Sequence, residues 1–231
     1  MSRRGGELWV FGYGSLMWRP GFAFEQAQHA RVGGYRRCFC IYSVHHRGTP
    51  QRPGLVLGLD RGGSCEGILY RVAAKDAADV QRYLRAREQV NGVYREAHVM
   101  VEPRGEPARE VLALTYIVER AHPNYAGALP VALQARLIKG ARGRSGANLD
   151  YLVSALRHLA ELGIRERELE RVLALAGAYA TRLPLNDVAS PHALALIRAA
   201  RDRAPAVRRE AGKSAQRRFL YRLQLGQGAG G

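Results

Sequence analysis

The stretch "LWVFGYGSLMWRP", Leu8–Pro20, runs four apolar residues into Gly12-Tyr13-Gly14-Ser15 and then sets Leu16, Met17 and Trp18 behind the turn. The apolar run fits a short buried strand. The two glycines let a ligand approach the main chain closely and tolerate positive φ. Consecutive N–H groups in such a turn form a small anion-binding concavity, and Ser15 adds a hydroxyl. The segment lacks the third glycine of a dinucleotide fingerprint, because Met17 stands there, and it lacks the Gly-Lys-Ser/Thr of a phosphate loop. It carries no metal ligand. Two readings stand: a tight connection within the core, or one wall of a binding site.

Outward from this strand, the pattern up to about Val118 is mostly strand-like. The runs "YRRCFCIYSV", "GLVLGLD", "CEGILYRV", "YREAHVMVE" and "VLALTYIV" are separated by glycine, proline or charged turns. The segment "VAAKDAADVQRYLRARE" interrupts them as a helix, and Asn91-Gly92 offers a stop. After Pro130 the periodicity becomes helical in "PVALQARLIKGA", "NLDYLVSALRHLAELG" and "RERELERVLALAGAYATRL". Strands first and helices later predict an α+β domain, and short strands in succession suit a small barrel. Residues 1–185 are expected to form this domain. Residues 186–231 are expected to form a basic extension, with a helix that has Ser190 as its cap and Pro191 in its first turn, and a partly disordered tail.

Within the helix before Asn91, Val80, Leu84 and Glu88 are spaced i, i+4, i+8 and share the apolar face. Glu88 stands where that stripe calls for an apolar residue, close to the C-terminus, where the macrodipole disfavours negative charge. Burial and dipole both raise a carboxylate's pKa, and a glutamate tuned toward neutrality suits a general base. The competing reading is an ion pair with Arg85, Arg87 or Arg95, or an exposed side chain beyond a frayed helix end.

Other candidates are weaker. Cys38-x-Cys40 followed by His45-His46 invites a zinc reading, but structural zinc sites use wider cysteine spacing. We read small buried thiols and a polar loop, and expect no metal. The loop "HHRGTPQRPG" carries Arg47 and Arg52, whose planar forks suit carboxylates; a solvated loop is the alternative. The basic run Arg208–Arg222 contains Phe219 and Tyr221, a composition that also binds nucleic acid, but a solvated tail is the default.

Composition sets the outer bounds. The 231 residues are 47% hydrophobic, enough for one sizeable core. Thirty-six Lys and Arg against 20 Asp and Glu give a formal charge of +16, so anions are attracted to the surface. No apolar run approaches the ~20 residues that span a bilayer, and the N-terminus lacks the apolar stretch of a secretory signal. Three cysteines do not make a disulfide framework. A cytoplasmic protein without membrane association is expected.

Together, "VFGYGSLMWRPGF", "HHRGTPQRPGLVLGLDRGGSCEGILYRV", "YLRAREQVNGVY", "HPNYAGALP" and "GRSGANLDYL" closely resemble the ChaC-like family, in order from about Leu8 to about Leu183. The resemblance implies a compact mixed β-barrel with flanking helices. It also implies a glutathione-specific γ-glutamylcyclotransferase, which converts glutathione to 5-oxoproline and cysteinylglycine without a cofactor. Carried over, Val10, Phe11, Gly12, Tyr13, Gly14, Ser15 and Leu16 hold the γ-glutamyl group, and Glu88 is the catalytic base. Gln89 to Val93 separate Glu88 from Tyr94, a longer link than in shorter members. Arg47 is the expected partner of the glycyl carboxylate, and Tyr94 and Tyr125 are expected to line the pocket. The alternatives are another γ-glutamyl amine or dipeptide as substrate, or a catalytically silent basic protein that binds nucleic acid or regulates.

Overall fold

A computed structural model describes residues 7–89, 91–105 and 109–178 of the chain. The elements run β1 (Leu8–Gly12), β2 (Gln26–Ser43), β3 (Gly54–Val72), α1 (Ala77–Glu88), β4 (Tyr94–Pro103), β5 (Val111–Val118), α2 (Val131–Gly140), the two-residue pair β6 (Arg142–Gly143) and β7 (Gly146–Ala147), α3 (Asn148–Glu161) and α4 (Arg167–Ala178). Strands β1–β5 close into a barrel in the order β1-β3-β2-β4-β5. All neighbours are antiparallel except β1 and β5, which meet in parallel at Val10 and Leu114 and close the ring. The expected α+β architecture, a small mixed barrel with flanking helices, is the observed one.

Two strands are longer than their sequence signals. "GLVLGLD" and "CEGILYRV" predict separate strands, yet both belong to the 19-residue β3. The glycines between them, Gly62 at φ 103° and Gly63 at φ 71°, make a bend rather than a turn. Opposite them the ladder with β2 slips between Gly33 and Tyr35. Such irregularities sharpen strand twist and let a short sheet curl into a barrel.

Side-chain alternation divides the core. Phe11, Val32, Leu59, Leu69, Val101 and Ile117 form a cluster drawn from strands. Val10, Ile68, Leu114 and Tyr116 face the other way and join Val80 and Leu84 of α1, Ile138 of α2 and Leu152 of α3. Asn148, fully buried at the start of α3, accepts from the Leu55 N–H at 2.6 Å and donates to the Leu55 carbonyl at 2.7 Å. It thereby pairs both backbone groups of Leu55 on the β3 edge turned away from β2.

Among the described residues, no helix is long and apolar enough to cross a membrane. The expected boundary at 185, the helix after Ser190 and the basic tail with Phe219 and Tyr221 lie outside the described residues.

Candidate active site

The strand end that opens the sequence is held from several sides. Thr115 Oγ1 on β5 donates to the Phe11 carbonyl at 2.9 Å. Arg37 Nε on β2 donates to the Tyr13 carbonyl at 2.5 Å. Tyr70 on β3 donates its hydroxyl to the carbonyls of Leu16 and Met17 at 3.0 and 2.9 Å. After Gly12 the chain enters a single 3-10 turn at Ser15–Met17, closed by Met17 N–H to the Gly14 carbonyl at 2.9 Å. These bonds occupy carbonyls, whereas no described backbone acceptor takes the N–H of Gly14 or Ser15. The turn therefore presents donors, the feature an anion-binding concavity needs.

Neither Gly12 nor Gly14 uses a positive φ. What Gly12 provides is closeness: a Cβ there would lie 3.0 Å from the Cβ of Leu16. A Cβ at Gly14 would meet nothing within 4 Å, so Gly14 leaves space beside the main chain.

That space belongs to an open pocket lined by Tyr13, Gly14, Ser15, Leu16, Leu57, Glu88, Tyr94, Tyr116 and Tyr151. Glu88 ends α1, on the face that Val80 and Leu84 bury. Its side chain is 18% exposed, and its Oε1 lies 3.0 Å from Arg87 Nε. Burial raises the Glu88 pKa above the ordinary glutamate value, and the Arg87 charge pulls against that rise. Glu88 is therefore both ion-paired and a poorly hydrated carboxylate on a pocket wall. Arg85 and Arg95 pair elsewhere, with Glu96 at 2.7 Å and Glu119 at 3.6 Å.

Four phenols complete the wall. Tyr94 donates to the Leu57 carbonyl at 2.8 Å, and Tyr116 to Glu96 Oε2 at 3.4 Å. Burial raises the pKa of Tyr13, Tyr94, Tyr116 and Tyr151, and the Glu88 charge adds to the rise in each. Tyr151 is pushed up to about 12. All four stay neutral near pH 7, so they present hydroxyls and ring faces to the pocket and no negative charge.

The structure thus brings together Tyr13, Gly14, Ser15, Leu16, Glu88 and Tyr94. Val10 and Phe11 are fully buried in the core behind the turn and do not line the pocket. Gly12 supports the turn from the same position. Arg47 approaches the pocket through Tyr151: its guanidinium carbon lies 5.2 Å from that ring centroid, while Nη1 donates to the Ser145 carbonyl at 2.6 Å. Tyr125, expected on the pocket wall, is held elsewhere. Its hydroxyl donates to Asp60 Oδ2 at 2.8 Å, and its backbone bridges to Ile41. The pocket residues Leu57, Tyr116 and Tyr151 were not legible as such, because strand and helix periodicity assigns them to the core.

Cys38 and Cys40 are buried free thiols. The Cys40 pKa is raised by its hydrogen bond to Cys38 and by burial. His46 instead contacts Ser145 Oγ at 3.0 Å. Among the described residues, no group of three His, Cys, Asp or Glu side chains is placed to hold a metal ion.

A closed mixed barrel carries the Gly14–Ser15 turn and the poorly hydrated Glu88 carboxylate on the wall of one pocket. The family model described as ChaC-like protein matches residues 8–179, and the chain belongs to that family. The mouse protein named glutathione-specific γ-glutamylcyclotransferase 1 is 36% identical over 179 residues, 77% of this chain and 80% of its own. The Escherichia coli (strain K12) protein named glutathione-specific γ-glutamylcyclotransferase is 33% identical over 168 residues, 73% of this chain and 72% of its own. A solved yeast structure, described as a γ-glutamylcyclotransferase specific to glutathione, superposes with a TM-score of 0.67 at 25% identity, covering 75% of this chain and 99% of that one.

Proposed function

We propose that this chain degrades glutathione by intramolecular cyclisation, releasing 5-oxoproline and cysteinylglycine, with Glu88 as general base and then general acid. The observation that carries the reading is the placement of the Glu88 carboxylate, 18% exposed, on the same pocket as the Gly14–Ser15 turn. The names of relatives at 33–36% identity support the substrate class.

In this reading the γ-glutamyl amine attacks the δ-carbonyl of its own residue. A C–N bond forms, the five-membered lactam closes, and the bond to the cysteinyl nitrogen breaks. Because both reacting groups belong to one residue, holding that residue folded exploits effective molarities on the order of 10⁵ M or more. Glu88 takes the proton that the ammonium must lose before attack and returns one to the departing nitrogen; the attacking nitrogen sheds a second proton as the lactam forms and the released amine takes up a second from solvent, so the reaction is proton-neutral overall. Its raised pKa brings it closer to the pH at which both transfers run. The N–H groups of Gly14 and Ser15 hold either the α-carboxylate or the oxygen of the tetrahedral intermediate. Tyr13, Leu16 and Tyr94 shape the wall around the γ-glutamyl chain. Arg47, one aromatic ring from the pocket, is assigned to the glycyl carboxylate. We assign catalysis to residues 1–185, with 186–231 as a basic extension.

The test is 5-oxoproline release from glutathione beside a γ-glutamyl amine and a γ-glutamyl dipeptide that lacks the glycyl residue. Glutathione is expected to lead in kcat/KM by at least about ten-fold, the scale of losing one pocket contact. Equal rates on all three would overturn glutathione specificity and leave the cyclotransferase reading standing. No 5-oxoproline from any of them would overturn both.

A further inference from the structure

Arg87 stands beside Glu88 in sequence, yet neighbouring residues of a helix do not face each other. The contact between them is made by the length of the arginine, whose guanidinium reaches across the mouth of α1. Its Nε lies 3.0 Å from Glu88 Oε1. Its Nη2 donates to Ser15 Oγ at 2.9 Å. Its Nη1 donates to the carbonyls of Arg19 and Pro20 at 2.6 and 3.1 Å and to the Tyr83 hydroxyl at 3.1 Å. One side chain therefore ties the base, the substrate turn and the loop behind that turn. The loop is shaped to admit it: Gly21 has φ 73°, and a Cβ there would overlap the Tyr83 hydroxyl that Arg87 uses.

We propose that Arg87 is the positioning residue of the site, fixing the Glu88 carboxylate relative to the Ser15 turn through a single rigid guanidinium plane. The proposal rests on Glu88 being the base. A guanidinium is planar, so swinging Nε toward Glu88 sets where Nη1 and Nη2 can go. Five contacts over-determine its orientation, and its side chain is only 18% exposed. A lysine ammonium, one nitrogen on a flexible stem, cannot serve Glu88, Ser15 and the Arg19–Pro20 carbonyls at once. Arg87 is also the charged group acting on Glu88 among the described residues; the other titratable groups facing it are the neutral phenols of Tyr13, Tyr94, Tyr116 and Tyr151, from the turn, β4, β5 and α3. Its charge opposes burial and keeps the base ionised to lower pH.

The test is the pH dependence of kcat/KM for glutathione in wild type, Arg87→Met, Arg87→Lys and Glu88→Gln, with folding checked by circular dichroism. Arg87→Met is expected to lose roughly 10²-fold in rate, the scale of misplacing a reacting group by about 1 Å, and to move the acid limb to higher pH. Arg87→Lys keeps the charge and loses the fork, so its rate falls while the acid limb stays near that of wild type. A purely structural arginine would lower thermal stability or rate and leave the acid limb unmoved in Arg87→Met; that result, in a folded variant, overturns the proposal. If Arg87→Met does not fold, Arg87→Lys decides, and wild-type kcat in it overturns the proposal. Wild-type turnover in Glu88→Gln overturns the underlying reading of the base, whatever the arginine variants do. Loss in Glu88→Gln with an unmoved limb in folded Arg87→Met overturns only the role of Arg87.

Discussion

Glu88→Gln is expected to fold as the wild type does and to release 5-oxoproline from glutathione at least ~10³-fold more slowly, the size of losing an essential general base. Glutamine matches the shape of glutamate and keeps an oxygen for Arg87 Nε, but it cannot take a proton from an ammonium. Stability is expected to hold because of the direction of the pKa shift. Glu88 is raised in the folded state by burial, so folding favours its protonated form. Its contribution to stability is full below the unfolded pKa and is lost as pH rises through the folded one. By this route the ionised form adds nothing to stability, so neutralising the side chain removes nothing that held the fold. Thermal melts and a 5-oxoproline assay on the same preparation check both halves. A variant that melts like wild type and also turns over like wild type would remove Glu88 from the chemistry.

Arg37→Met is expected to produce the largest loss of stability, about 3–5 kcal/mol, the scale of breaking a buried ion pair by removing one partner. The Arg37 side chain is 0% exposed, and Glu166, its partner ahead of α4, is 23% exposed. The same guanidinium donates to the carbonyls of Tyr13 and Glu66 and lies 3.7 Å from Met17 Sδ. Methionine fills the volume and supplies none of these donors, so a carboxylate and two carbonyls lose their partner together. Because the Tyr13 carbonyl is one of them, the turn loosens and KM for glutathione rises as well. Urea unfolding with linear extrapolation measures the first effect and steady-state kinetics the second. Adding Glu166→Gln to Arg37→Met is expected to recover part of the stability, since it removes the orphaned charge. A loss below about 1 kcal/mol in the single variant would show that Arg37 is not a tie between β2, the turn and α4.

Where the sequence was legible, the signal was local. Leu8 to Phe11 announced a buried strand, and Gly12 to Ser15 announced its end. Val80, Leu84 and Glu88 kept helical spacing, so the misplaced carboxylate was visible before any fold was known. The lengths of β2 and β3 were not visible, because Gly62-Gly63 looks the same in a hairpin turn and in a bent strand. Tyr116 and Tyr151 were hidden for a related reason. A phenol on a buried face obeys the same periodicity whether it fills the core or walls a pocket. Arg37 was the hardest to find, and Arg87 stood out only as one of three ion-pair candidates for Glu88. Among 36 Lys and Arg residues, nothing in the local sequence distinguishes a buried guanidinium from a surface one. Their partners at Tyr13, Ser15, Arg19 and Glu166 become neighbours only when the barrel closes. Tyr125 shows the reverse: its motif was recognisable, but Asp60 and the Ile41 bridge hold it off the pocket.

The most direct measurement is a crystal structure of Glu88→Gln soaked with glutathione. The γ-glutamyl amine is predicted to lie within hydrogen-bond distance of the residue 88 amide, with an oxygen of the same γ-glutamyl residue on the N–H groups of Gly14 and Ser15. Glutathione bound with its γ-glutamyl end away from both, or seated on the Arg47 loop alone, would contradict the account.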